Sequence, residues 1–166
     1  MPLDQIANVA EIIGVVVVVI TVVYLALQIR QNTHALRSNT AQATHDSIVS
    51  GYNTLATDGD LNRLFRNGCN DPAALTEDEL GQFIAFWTAT LFMTQNWLYQ
   101  RAAHALDEEL TDTWLNALSV AMHSPGFGYY WKYRSYQFSA RMREHVDTVL
   151  AQPANPDYQV LGVTAE

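Results

Sequence analysis

The sequence predicts an all-α fold: one long N-terminal transmembrane helix continuing into a small cytoplasmic helical bundle. Three observations predict it. Residues Ile12 to Ile29, IIGVVVVVITVVYLALQI, form an uncharged eighteen-residue run interrupted only by Thr21, Tyr24 and Gln28. Beyond the run, apolar residues recur at helical spacing. Ser, Thr and Asp also stand where helix N-caps belong.

At about 1.5 Å per residue the run spans roughly 27 Å, close to the hydrocarbon thickness of a bilayer. A buried strand stops after about 4–8 residues, so the valine block Val15–Val19 does not make a sheet. In lipid, a lone apolar segment satisfies its backbone only as a helix. A cleaved secretory signal is the alternative, but it wants a basic leader and a small-residue cleavage site. The leader MPLDQIANVAE carries Asp4 and Glu11 and no basic residue, and the run ends in Leu27, Gln28, Ile29 and Arg30 without an A-x-A pattern. A retained anchor is expected. Arg30 and Arg37 come directly after the span, so the positive-inside rule puts the N-terminus outside and the C-terminal domain in the cytoplasm. The expected organisation is a short extracytoplasmic segment 1–11, a transmembrane helix 12–29, a cytoplasmic helical domain 30–151 and an extended tail 152–166.

After the span no proline occurs before Pro72, so the first helix is expected to continue toward Ala56. Ile29, Leu36, Ala43, Ile48, Tyr52 and Leu55 give this extension a narrow apolar stripe. Gly51 and the Thr, Ser and Asn content weaken it, so it needs packing partners. Asp58-Gly59-Asp60 marks a break, with Asp60 expected to cap a short helix Leu61–Asn67. Asn67-Gly68-Cys69-Asn70-Asp71-Pro72 reads as a loop. Thr76-Glu77-Asp78-Glu79 is a capping box opening a helix to about Ala105. One face of that helix carries Leu80, Phe83, Ile84, Trp87, Leu91, Met93, Thr94, Leu98 and Arg101. Asp107-Glu108-Glu109 starts the next helix, with Leu110, Trp114, Leu118 and Met122 at helical spacing. Ser124-Pro125-Gly126 punctuates, and Ser139 caps a last helix to Leu150.

The formal net charge is -8, with Lys132 the only lysine. Such a chain is repelled by phosphate backbones, which argues against a nucleic-acid partner. A single cysteine, Cys69, excludes an internal disulfide and any multi-cysteine metal site. In RNGCNDP it reads as a semi-exposed thiol without an activating base. His34, His45, His104, His123 and His145 have neither H-x-x-x-H nor E-x-x-H spacing, so no metal is expected. A G-x-S-x-G elbow and a phosphate-binding glycine loop are also absent. The acids at Glu77–Glu79 and Asp107–Glu109 fit the positive ends of helices without a bound cation. The sequence therefore offers no catalytic residue and no cofactor site.

Two patterns remain. Ala7, Gly14, Thr21, Gln28 and Ala35 are seven residues apart, and Ala10-x-x-x-Gly14 is a small-xxx-small pair. Small residues allow the close backbone approach on which helix association in lipid relies, and polar ones hydrogen-bond across. Ala7, Ala10, Gly14, Thr21 and Gln28 are the candidate association residues. The second pattern is the aromatic block Phe127, Tyr129, Tyr130, Trp131, Tyr133, Tyr136 and Phe138. Phe127, Tyr130, Trp131 and Phe138 are expected to close the core, leaving Tyr129, Tyr133 and Tyr136 as a candidate docking surface.

The stretch ANVAEIIGVVVVVITVVYLALQIRQNTHALRSNTAQA resembles the opening of an uncharacterised family of small bacterial single-span membrane proteins with an IYLA-x-QIRQNT-like motif. Further likeness lies at DLNRLFRNG, LDEELTDTW and SPGFGYYW. The resemblance implies the architecture and a bacterial inner membrane, and transfers no activity. On this basis Gln28, Arg30, Gln31 and Asn32 would set the membrane boundary. The leading functional expectation is a membrane-anchored, non-catalytic interaction protein, self-assembling or an accessory subunit of a larger inner-membrane complex. Its partners would be the lipid bilayer and further copies of the chain. One alternative is a homo-oligomeric pore faced by Thr21, Gln28, Asn32 and Asn39. Another is a membrane-proximal ligand sensor or enzyme with a site around His104, His123 and the tyrosines.

Overall fold

The computed structural model describes residues 3–154, excepting the side chains of residues 3–7 and 9. The expected all-α class is observed, with no strand among the described residues. Among the described residues six α-helices occur in chain order: α1 Leu3–Thr57, α2 Gly59–Asn70, α3 Glu77–Ala102, α4 Glu108–Met122, α5 Pro125–Arg134 and α6 Ala140–Leu150. Two compact units divide inside α1 between Thr40 and Ala41, beyond the expected end of the span at Ile29. Of the expected tail, residues 155–166 lie outside the described residues.

The first unit consists of the N-terminal part of α1. It contains the one helix among the described residues that is long and apolar enough to cross a membrane, with a window mean hydropathy of 2.8 and none of that window buried. Two of its hydroxyls donate within the helix. Thr21 Oγ1 donates to the Val17 carbonyl at 2.8 Å and Thr33 Oγ1 to the Ile29 carbonyl at 2.9 Å. An apolar environment therefore need not accommodate unpaired donors at these positions.

The second unit begins with the C-terminal part of α1. The expected stripe is partly corrected: Ala43 and Tyr52 are exposed, while Thr44 and Ile48 are buried and Ala41 and Leu55 half-buried. The buried line follows 3.6-residue periodicity from Ala41, whereas the expected stripe runs through Ala43, off that line. Asp58, not Asp60, caps α2; its carboxylate accepts from the backbone N–H of Asp60 and Leu61 at 3.1 and 3.0 Å. Asp60 lies in the first turn and pairs with Arg63 at 2.7 Å.

Helix α2 also extends into the segment expected to be a loop, ending at Asn70, with Asp71 and Pro72 outside it. Gly68 is a packing residue there. A Cβ on it would stand 2.7 Å from Phe83 Cε2, and a Cβ on Gly126 would overlap the Gly68 carbonyl oxygen. Gly126 lets α5 approach the backbone of α2 closely, and Gly68 makes room for the Phe83 ring of α3. Cys69 is consequently buried, against the expectation of a semi-exposed turn thiol.

The Thr76–Glu79 capping box forms reciprocally, Thr76 N–H to Glu79 Oε2 at 2.9 Å and Glu79 N–H to Thr76 Oγ1 at 3.3 Å. Helix α3 stops at Ala102, short of the expected Ala105. His104 adopts φ 54°, and the N–H groups of His104 and Ala105 bond the carbonyls of Arg101 and Gln100 at 2.9 Å each. This is a Schellman closure with histidine where glycine is usual. Asp107, Ser124 and Ser139 cap α4, α5 and α6 as the sequence suggests.

The main core collects Phe83, Trp87 and Leu91 of α3 with Phe127 and Tyr130 of α5 and Met142 and Val146 of α6. Trp87 and Phe127 meet at 4.7 Å between centroids, edge to face. Trp131 stacks between Phe127 and Phe138, and its indole donates to Asp147 Oδ1 at 3.3 Å. The expected core aromatics Phe127, Tyr130, Trp131 and Phe138 are all buried. A smaller cluster joins Ile48, Trp97 and Leu106, with Trp114 packed against it.

Candidate functional site

The expected association residues lie on an uninterrupted helix. Ala10, Gly14, Thr21 and Gln28 are exposed, Gly14 has open space around its Cα, and the side chain of Ala7 lies outside the described residues. Gln28 Nε2 donates to the Tyr24 hydroxyl at 2.8 Å. Of the expected docking tyrosines, Tyr129 and Tyr133 are a ring pair one helical turn apart on α5, 5.1 Å between centroids, and Lys132 lies over the Tyr133 ring at 5.4 Å. Tyr136 is 71% exposed beyond the end of α5. The three tyrosines are thus presented outward while their neighbours in sequence fill the core.

The histidines have separate surroundings. His34 and His104 are exposed. His45 meets the Trp114 ring edge-on at 6.4 Å. His123 bridges two carbonyls, Ser119 at 2.8 Å through Nδ1 and Gln152 at 3.0 Å through Nε2. His145 is half-buried, and desolvation holds its pKa below the ordinary imidazole value. The Arg101 guanidinium lowers it further, while Asp112, ion-paired to Arg101, opposes. Among the described residues no group of three His, Cys, Asp or Glu side chains is placed to hold a metal. Burial pushes the Cys69 thiol up to about 11, a partial offset coming from its hydrogen bond with Ser124, so it is protonated and poorly nucleophilic at neutral pH.

The structure brings together a site that the sequence did not indicate. Between the C-terminal part of α1, α3 and α4 lies a half-open cavity of about 250 Å³. Ile48, Gly51 and Leu55 form its α1 wall, Trp87, Thr94 and Trp97 much of its α3 wall, and Trp114, Ala117 and Leu118 its α4 wall. No carboxylate, amine, guanidinium or imidazole is in the lining. The hydroxyls of Thr90 and Thr94 donate to the carbonyls of Phe86 and Thr90 at 2.9 and 2.8 Å. The indole N–H groups of Trp87 and Trp114 are buried and have no acceptor among the described residues. Such a lining supports binding of an apolar molecule; it holds no group able to take a proton from a reacting one at neutral pH. The available signal was Gly51, legible only as a weak point in a helix until the tryptophans stood opposite it.

No family model, curated protein or solved structure matches the chain.

Proposed function

We propose that this chain is a single-pass, membrane-anchored, non-catalytic interaction protein that self-associates through α1, as an assembly of its own or within a larger bacterial inner-membrane complex. The carrying observation is α1 itself. From Ala10 to Asn39 every side chain is exposed. The apolar part of this segment is covered by lipid. Its continuation from Arg30 to Asn39 is rich in Gln, Asn, Thr and Ser, residues that hold an isolated helix poorly. Contact with further copies would supply the missing stabilisation, with Ala7, Ala10, Gly14 and Thr21 allowing close approach inside lipid.

Retention of the span is supported by the continuity of α1, whose last turns belong to the helical domain. Arg30 and Arg37 favour a cytoplasmic domain and an external N-terminus. The resemblance at the QIRQNT motif fits this reading. Light scattering in mild detergent tests it: the unmodified chain is expected to run as an oligomer, and Gly14→Leu to shift it toward monomer. A monomeric unmodified chain overturns the proposal. For topology, a reporter active only in the cytoplasm is expected to work when fused after Glu166, and one active only outside to fail.

A further inference from the structure

We propose that the cavity between α1, α3 and α4 is a binding site for a neutral, mainly apolar molecule in the size class of a medium-chain acyl ester. Its walls decide the chemistry. With no ionisable group besides the Tyr52 phenol in the lining, a carboxylate or ammonium would lose hydration without gaining a counter-charge, which selects against charged ligands. At roughly 30 Å³ per small non-hydrogen group, the share of one water in the liquid, the cavity holds about eight to ten such groups, and its open side admits a few more.

The indoles contribute apolar ring surface: Trp87 and Trp97 line the cavity from α3 and Trp114 from α4, and large aromatic rings bury extensive area against an apolar ligand. Gly51 lines the α1 wall and a Cβ there would meet nothing within 4 Å, so a larger side chain can be introduced at this wall without a backbone clash. The site does not depend on self-association of α1, since every lining residue lies in the second unit.

The test uses the full chain in phosphatidylcholine nanodiscs, titrated with methyl 8-bromooctanoate, whose bromine quenches indole fluorescence. Trp87, Trp97, Trp114 and Trp131 are the only tryptophans, so quenching reports the helical domain and not the span. Saturable quenching is expected, with Gly51→Phe weakening it at least roughly tenfold while leaving the melting temperature unchanged or higher. Ala117→Phe, on the α4 wall, provides a second occlusion should Gly51→Phe melt earlier. The matched 8-bromooctanoate anion is expected to bind at least roughly tenfold more weakly, because the lining offers it no counter-charge. Linear, non-saturating quenching overturns the site, and so does saturable binding unaffected by both occluding variants. Equal affinity for the ester and the carboxylate overturns the selection against charge.

Discussion

His145 and Cys69 show at the residue scale how burial sets chemistry in this domain. With its pKa held below the usual 6.5 by desolvation and by Arg101, His145 binds fewer protons folded than unfolded. Its favourable contribution is therefore complete above the unfolded value and is lost as pH falls from 6.5 toward the folded one. The chain is expected to lose melting temperature between about pH 7 and pH 5.5, above the range in which Glu79 titrates, and His145→Gln to flatten that slope. An unchanged slope would place the pH response elsewhere. For Cys69, raised to about 11 by burial, iodoacetamide at about pH 8 is expected to label the folded chain far more slowly than the urea-unfolded one. Neither environment was legible in the local sequence. Cys69 sits among turn-forming residues and His145 on a short amphipathic helix, and the partners that desolvate them are remote in sequence.

Among the elements, the contact of α2 with α5 depends most sharply on single residues. Gly126 leaves no room for a Cβ against the Gly68 backbone, whereas Gly128, two residues later on the same helix, faces open space. Gly126→Ala is expected to destabilise the domain by about 1–3 kcal/mol as the helices are forced apart. Gly128→Ala is expected to stabilise it by roughly 0.5–1 kcal/mol through helix propensity alone. Denaturant melts of both variants decide this, and similar behaviour of the two would refute the close approach. Most helix starts were legible because caps are local: Thr76, Asp107, Ser124 and Ser139 each bond a backbone N–H three residues ahead. Helix ends were less so. Gly68 looked like a stop and is a contact residue, while His104 looked like helix interior and takes the left-handed closing position.

For the whole molecule, the division at Thr40/Ala41 separates a unit made of one helix from one that holds both hydrophobic clusters. A chain beginning at Ala41 is therefore expected to fold without the apolar run, remaining soluble and helical by circular dichroism with a cooperative melt followed by tryptophan fluorescence. A non-cooperative melt would show that the domain needs the N-terminal helix to hold together. If self-association resides in α1, this shortened chain is also expected to be monomeric by light scattering.

The sequence by itself determined the all-α class, the apolar helix of membrane-spanning length, most of the helix starts and the aromatic residues that close the core. Each of these depends on residues near one another along the chain: a run of side chains without charge, a cap and its N–H donors, a 3.6-residue period. Only the tertiary structure decided that Trp97 and Leu115 are buried, that Gly68 and Gly126 serve helix–helix contacts, and that Gly51, Trp87 and Trp114 line one cavity. These features depend on which helices become neighbours. That choice is made by complementary surfaces summed over the whole core, and no local pattern records it.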